Sequence, residues 1–144
     1  MLGKPALLLT IVFIASSFAL GQTVYTPEKG SPERAAIVNT LRLPVEKDLK
    51  QKIVFVPDNF NVMGNWAFIG GAPQASGGGV PDYTKTAYAG AVKEGFFDNN
   101  FFALLKKTGG KWKIVKYQLG CTDVCYAGWW RIYRAPKAVF PYTE

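Results

Sequence analysis

Histidine is missing altogether from this 144-residue chain, and no other absence excludes as much chemistry. Ser-His-Asp and Cys-His catalysis, His-containing zinc hydrolase sites and His-based acid–base pairs all need an imidazole. Any catalysis would fall to carboxylates, Tyr or Lys. The acids Asp58, Asp82, Asp98 and Asp123 are scattered, whereas a glycosidase needs two carboxylates set across one bond. Cysteine is nearly absent too: Cys121 and Cys125, in CTDVC, are the only two. Without His or a second Cys pair they make no Cys/His zinc site, and their spacing is not the C-x-x-C of a redox dithiol. No block of like charge exceeds two consecutive residues, and a charge this moderate argues against a nucleic-acid partner. Nor does any run reach the ~20 apolar residues that span a bilayer. No metal, cofactor or catalytic residue is expected.

What is present begins with a leader pattern. Lys4 precedes an apolar core over Ala6–Ile14, and Ala19-Leu20-Gly21 offers small residues where a signal peptidase reads. Residues 1–21 are expected to be a signal peptide cleaved before Gln22; the competing reading is a membrane anchor. No Cys sits just after the apolar run, which argues against lipid attachment. The expected product, residues 22–144, has the size of one domain with one core. Without Lys4 it carries 16 basic against 10 acidic residues, a net charge of +6. In a periplasmic or secreted setting such a charge attracts lipopolysaccharide, wall polymers and acidic glycans, although solubility alone also explains it. In that oxidising compartment Cys121 and Cys125 are expected to close a short structural disulfide, contributing about 2 kcal/mol or less.

Residues 22–30 read as an extended lead-in. Ser31-Pro32-Glu33 is a helix start, with a capping hydroxyl, Pro at the first helical position and an acid in the first turn. Ile37, Leu41, Val45 and Leu49 recur at fourfold spacing. Pro44 is expected to kink or divide that helix near Leu43. Lys52–Gln74 then reads as a hairpin turning at Gly64–Asn65. Period-two alternation puts Val54, Val56, Phe60, Val62, Ala67 and Ile69 on the face toward the helix. Ile53, Phe55, Asn59, Asn61, Met63, Trp66 and Phe68 fall on a mixed, partly open face. Pro57 signals a bulge or an edge.

Gly70–Pro81 reads as a Gly-rich connection without a phosphate-loop pattern, and residues 84–94 as a helix ended by Gly95. Phe101–Lys107 and Lys111–Leu119 form a second hairpin about Gly109–Gly110. Its alternation groups Phe102, Leu104, Val115 and Tyr117 on one face, and Phe101, Leu105, Trp112 and Ile114 on the other. Asp123–Tyr133 reads as a short aromatic helix and Ala135–Tyr142 as an extended close. The fold class is α+β: an N-terminal helix on a curved antiparallel sheet of about four strands in two hairpins, with a short C-terminal helical segment.

Three groups of residues are candidates for function. Lys106, Lys107, Lys111, Lys113 and Lys116 surround Trp112 at the second hairpin tip; they suit an anion-binding tip, but lysine is also the common guard of an exposed strand edge. Tyr126, Trp129, Trp130 and Tyr133 suit stacking on sugars or a protein interface, with core packing the favoured alternative and one Trp partly exposed. Asp58, with Phe55, Trp66 and Phe68, would line a pocket between sheet and helix in a small-molecule enzyme or carrier. The bland reading of Asp58 is a bulge residue beside Pro57.

The segments SPER…LRLPVEKDL, VMGNWAFIGGAPQ, DYTKTAYAGAV, LLKKTGGKWKIVKY and TDVCYAGW…YRAPKAVF together resemble a group of small exported bacterial proteins of unassigned function. Some of that group carry SH3-like modules. The likeness runs from about Pro27 to Phe140 and implies no catalytic residues. The chain departs from the group at 121 and 125, where an unpaired small residue and often Pro are expected. At fold level it is similar to NTF2-like or cystatin-like domains, which include isomerases, dehydratases and binding modules. The expected function is a non-enzymatic binding or envelope-associated domain for an anionic glycan or a protein. An NTF2-like enzyme or carrier and an inhibitor or immunity-type protein are the alternatives.

Overall fold

The computed structural model describes residues 22–144 together with Met1 and Gly3. The rest of the expected leader lies outside the described residues. Helix α1 spans Pro32–Leu49. Ser31 caps it, its hydroxyl accepting the Arg34 N–H at 3.2 Å, and Lys50 ends it in the left-handed region. Pro44 lies inside α1 without dividing it. The expected break is absent because the stripe on both sides of Pro44 is anchored: Ile37, Leu41, Val45 and Leu49 are all buried. Burying side chains of this kind is worth about 1.5–3 kcal/mol each, enough to hold a turn that lacks one hydrogen bond.

Strands β1 (Ile53–Met63), β2 (Trp66–Ala75), β3 (Phe101–Thr108) and β4 (Lys111–Leu119) form one antiparallel sheet in the order β1-β2-β3-β4. Met63 pairs with Trp66 across the Gly64–Asn65 turn, and Thr108 with Lys111 across Gly109–Gly110. A five-residue helix, α2 (Ala89–Lys93), lies between β2 and β3. It is shorter than the expected 84–94 because Tyr83 and Tyr88 turn back to pack on the Phe97 ring, and the Thr86 hydroxyl accepts the Tyr88 N–H at 3.1 Å. Strand β2 also continues through Gly70–Ala75, where sequence suggested a loop. The strand needs glycine at 71, because a Cβ there would sit 2.1 Å from the Val56 carbonyl oxygen.

Two bulges set which side chains face α1. In β1 the register shifts between Pro57 and Asn59, leaving Asp58 as the extra residue; in β4 it shifts beside Val115. Each bulge inverts the alternation on one side of itself. Ile53 and Phe55 therefore join Phe60, Val62, Ala67 and Ile69 under α1, while Val54 and Val56 are exposed. This corrects the uninterrupted alternation expected for β1. The second bulge likewise moves Tyr117 to the helix side with Phe101, Leu105, Trp112 and Ile114.

The opposite face is not open. Helix α3 (Trp129–Ile132) and a 3-10 turn at Lys137–Val139 fold across it. Phe68, Leu104, Tyr126, Trp129, Ala135, Val139 and Phe140 form a second core there. Asn61 Nδ2 donates to the Val139 carbonyl at 3.0 Å and pins the segment to β1. The expected extended close is thus a packed cover. The sheet has apolar layers on both sides.

Candidate functional site

The pocket expected between sheet and helix does not assemble. Phe55 lies under α1, its ring 4.7 Å edge-on from Phe101, whereas Phe68 is fully buried in the core of the other face. Two residues on opposite faces of a sheet cannot line one cavity. Trp66 is half-buried at the fringe of the Phe68 core. Asp58 is exposed in the β1 bulge. It borders an open cleft of about 420 Å³ that Thr26, Lys29, Arg34 and Asn61 also line. Arg34 is already engaged there, its Nη1 donating to the Pro27 carbonyl at 3.0 Å and its guanidinium 4.6 Å over Phe60. Glu28 borders the same cleft, and among the described residues no side-chain hydrogen bond or ion pair joins Glu28 or Asp58 to Lys29 or Arg34.

Cys121 and Cys125 form a disulfide. It lies beside the sheet end, where the Asn100 side chain accepts the Cys121 N–H and donates to the Cys121 carbonyl at 2.8 and 2.7 Å. The aromatic cluster divides. Tyr126 and Trp129 are buried in the second core, and Trp130 is half-buried at its edge. Trp112 is buried beneath α1, so its ring is not free to stack on a ligand at the hairpin tip.

The lysines are free, and the register groups them. Lys106 pairs across the strands with Lys113, and Leu104 with Lys116. Leu104 and Val115 belong to the second core, so Lys106, Lys113 and Lys116 share the face bearing the C-terminal segment, with Lys111 beside the turn. Lys107 lies on the other face, its Nζ 5.7 Å over Trp112. Lys106 stands 4.9 Å over Trp66. Lys137, from the 3-10 turn, stands 3.9 Å over Trp130 and Arg131 lies 5.7 Å from the same ring. The three ion pairs among the described residues are Arg42–Glu46, Lys52–Glu46 and Arg131–Glu144. None neutralises a lysine of this group.

The charge is divided along the chain. Residues 22–98 hold eight basic and eight acidic side chains; residues 99–144 hold eight basic and two acidic. The whole surplus of 22–144 therefore belongs to β3, β4 and the C-terminal segment. Reading for local clusters found the hairpin lysines but missed Arg131, Arg134 and Lys137. Counting charge by halves is the signal that finds them. The candidate site is the basic face of Lys106, Lys113 and Lys116, with Trp66, whose ring lies under Lys106, as its aromatic edge.

Compared with described families, curated proteins and solved structures, the chain matches none.

Proposed function

We propose that this protein is an exported, non-enzymatic binding domain that holds an anionic polymer of the envelope or cell surface, glycan or acidic polypeptide. The observation that carries the reading is the basic face: Lys106, Lys113 and Lys116 share it, and none has an acidic partner among the described residues. Like charges placed directly opposite across a strand pair destabilise a sheet. An anion bound between Lys106 and Lys113 relieves that repulsion, and the half-buried Trp66 beside Lys106 adds apolar contact for a sugar or an aliphatic stem. Export is supported by the leader pattern over residues 1–21 and by the disulfide. Among the described residues, no helix is long and apolar enough to cross a membrane.

The test is retention on immobilised heparin and on polyglutamate. Wild type is expected to bind both at about 0.05 M salt and to elute well below about 1 M, where the Debye length falls to about 3 Å. Lys106→Glu with Lys113→Glu is expected to pass through unretained. Failure of the wild type to bind either matrix at low salt overturns the proposal.

A further inference from the structure

The two edges of the sheet are finished differently. On β1 the outward backbone is occupied near both ends: at the first, the Ile53 N–H donates to Glu46 at 3.2 Å and the Ile53 carbonyl accepts from Arg42 at 2.6 Å. At the other end Tyr25 and Val62 exchange backbone hydrogen bonds of 2.9 and 2.8 Å. Between them Pro57 has no N–H to offer, and the bulge follows.

Strand β4 has its own bulge at Val115 and a row of lysines, but nothing among the described residues occupies its outward backbone. In a two-residue hairpin the pair closing the turn exchanges both hydrogen bonds, so Thr108 and Lys111 face each other, followed by Lys106 with Lys113 and Leu104 with Lys116. The Lys107 N–H accordingly points the other way and donates to the Asn65 carbonyl at 2.7 Å. It follows that Trp112, Ile114 and Tyr117 aim their backbone N–H and C=O groups outward. Among the described residues, no backbone or side-chain group hydrogen-bonds to them there.

We propose that this edge receives an extended acidic polypeptide segment as an added strand, an inference that rests on the basic-face reading above and names the form of the partner. Charge complementarity selects the occupant. Lys111, Lys113 and Lys116 project to one face along the edge, while Ile114 and Tyr117 project to the other as half-buried apolar groups. An incoming strand alternating acid and aliphatic residues would set its acids beside the lysines and continue the apolar layer under α1. A second copy of this chain is the poorer occupant, because pairing β4 with β4 brings the lysine rows together.

The probe is a labelled heptapeptide of alternating Glu and Val, followed by fluorescence anisotropy at low salt. The same peptide with its central Val replaced by Pro keeps every charge but cannot pair as a strand. The Pro peptide is expected to bind at least about tenfold more weakly, and the Glu-Val peptide to slow amide exchange at Trp112, Ile114 and Tyr117. Equal binding of both peptides and of polyglutamate, with no new exchange protection, overturns strand addition while leaving the basic face as a polyanion site. Failure of every polyanion to bind overturns both. Concentration-dependent dimerisation without peptide, with protection of the same amides, also overturns the assignment in favour of a second copy.

Discussion

Asp48, near the end of α1, accepts the Tyr117 hydroxyl at 2.5 Å and ties the helix to β4. Burial, then this hydrogen bond and the Asp48 charge, push the Tyr117 phenol well above the ordinary tyrosine value. Burial alone pushes Tyr83 up to about 12, and burial with Asp48 raises Tyr88. A raised phenol keeps its proton in the folded state at a pH where the unfolded chain has released it. The stability linked to it is complete below about pH 10 and is lost as pH climbs through the folded values. Urea midpoints should therefore hold steady to about pH 10 and fall above it. Tyr117→Phe should cost about 1–2 kcal/mol near neutrality and make the alkaline decline shallower; an unchanged slope would refute the role of this phenol. Glu46 has the opposite sign. Burial alone would raise its carboxyl, but Lys52 at 3.0 Å, the Ile53 N–H at 3.2 Å and Arg42 at 3.5 Å outweigh that and hold it below the ordinary value. Its contribution is present above about pH 4.5 and is lost as pH falls through the folded value. Glu46→Gln is expected to flatten the acid limb of the same titration and leave the alkaline limb as it is.

Among the elements, the bulges mattered most and were least legible. Pro57 announced a break in β1, and the turn residues fixed both hairpin registers, so the strands, their pairing and the α1 stripe could be read from residues. The facing of Ile53 and Phe55 could not, because one extra residue inverts the face of all that precedes it. No comparable residue marks the β4 bulge, and the position of Tyr117 was misread for the same geometric reason. The β1 bulge depends on a partner in β2. A Cβ at Gly71 would meet the Val56 carbonyl oxygen at 2.1 Å, Pro57 Cα at 2.7 Å and the Asp58 nitrogen at 2.9 Å, all of them backbone. Backbone cannot swing aside as a side chain can. Gly71→Ala should therefore destabilise by about 1–3 kcal/mol, the range of overpacking a well-fitted site. Gly77→Ala, with nothing within 4 Å, should stay within about 0.5 kcal/mol of wild type. Parallel thermal melts decide it, and equal melting temperatures would refute the close approach.

At the scale of the whole molecule, the C-terminal segment turns a sheet with one covered face into a layered body. Its aromatic residues signalled packing, but which surface they cover depends on contacts between distant parts of the chain, which local pattern does not encode. The basic face was half legible for a similar reason: the hairpin lysines adjoin in sequence, while Lys137 reaches Trp130 only through the fold. Because Phe140 packs against Phe68 at 5.2 Å, Phe140→Ala should cost about 3–5 kcal/mol in urea unfolding. A cost near zero would show that the segment does not hold this face.

The same layering leaves Lys106 and Lys113 opposed with no acid between them, and this arrangement separates binding from stability. If the lysines only guard an edge, exchanging one for an acid changes little beyond the pair itself. If they form a polyanion site, stability and binding should move in opposite directions. Lys113→Glu converts a repulsive cross-strand pair into an attractive one, expected to be worth about 0.5–1 kcal/mol. The variant should melt higher than wild type at low salt, and the gap should narrow as salt screens both pairs. Its retention on heparin should fall at the same time, since the charge that strained the sheet is the charge that held the polymer. A rise in melting temperature with unchanged retention would assign Lys113 to the sheet alone. A fall in both would place the repulsion elsewhere. Opposed movement is the outcome expected of a binding face that carries its own electrostatic strain until an anion relieves it.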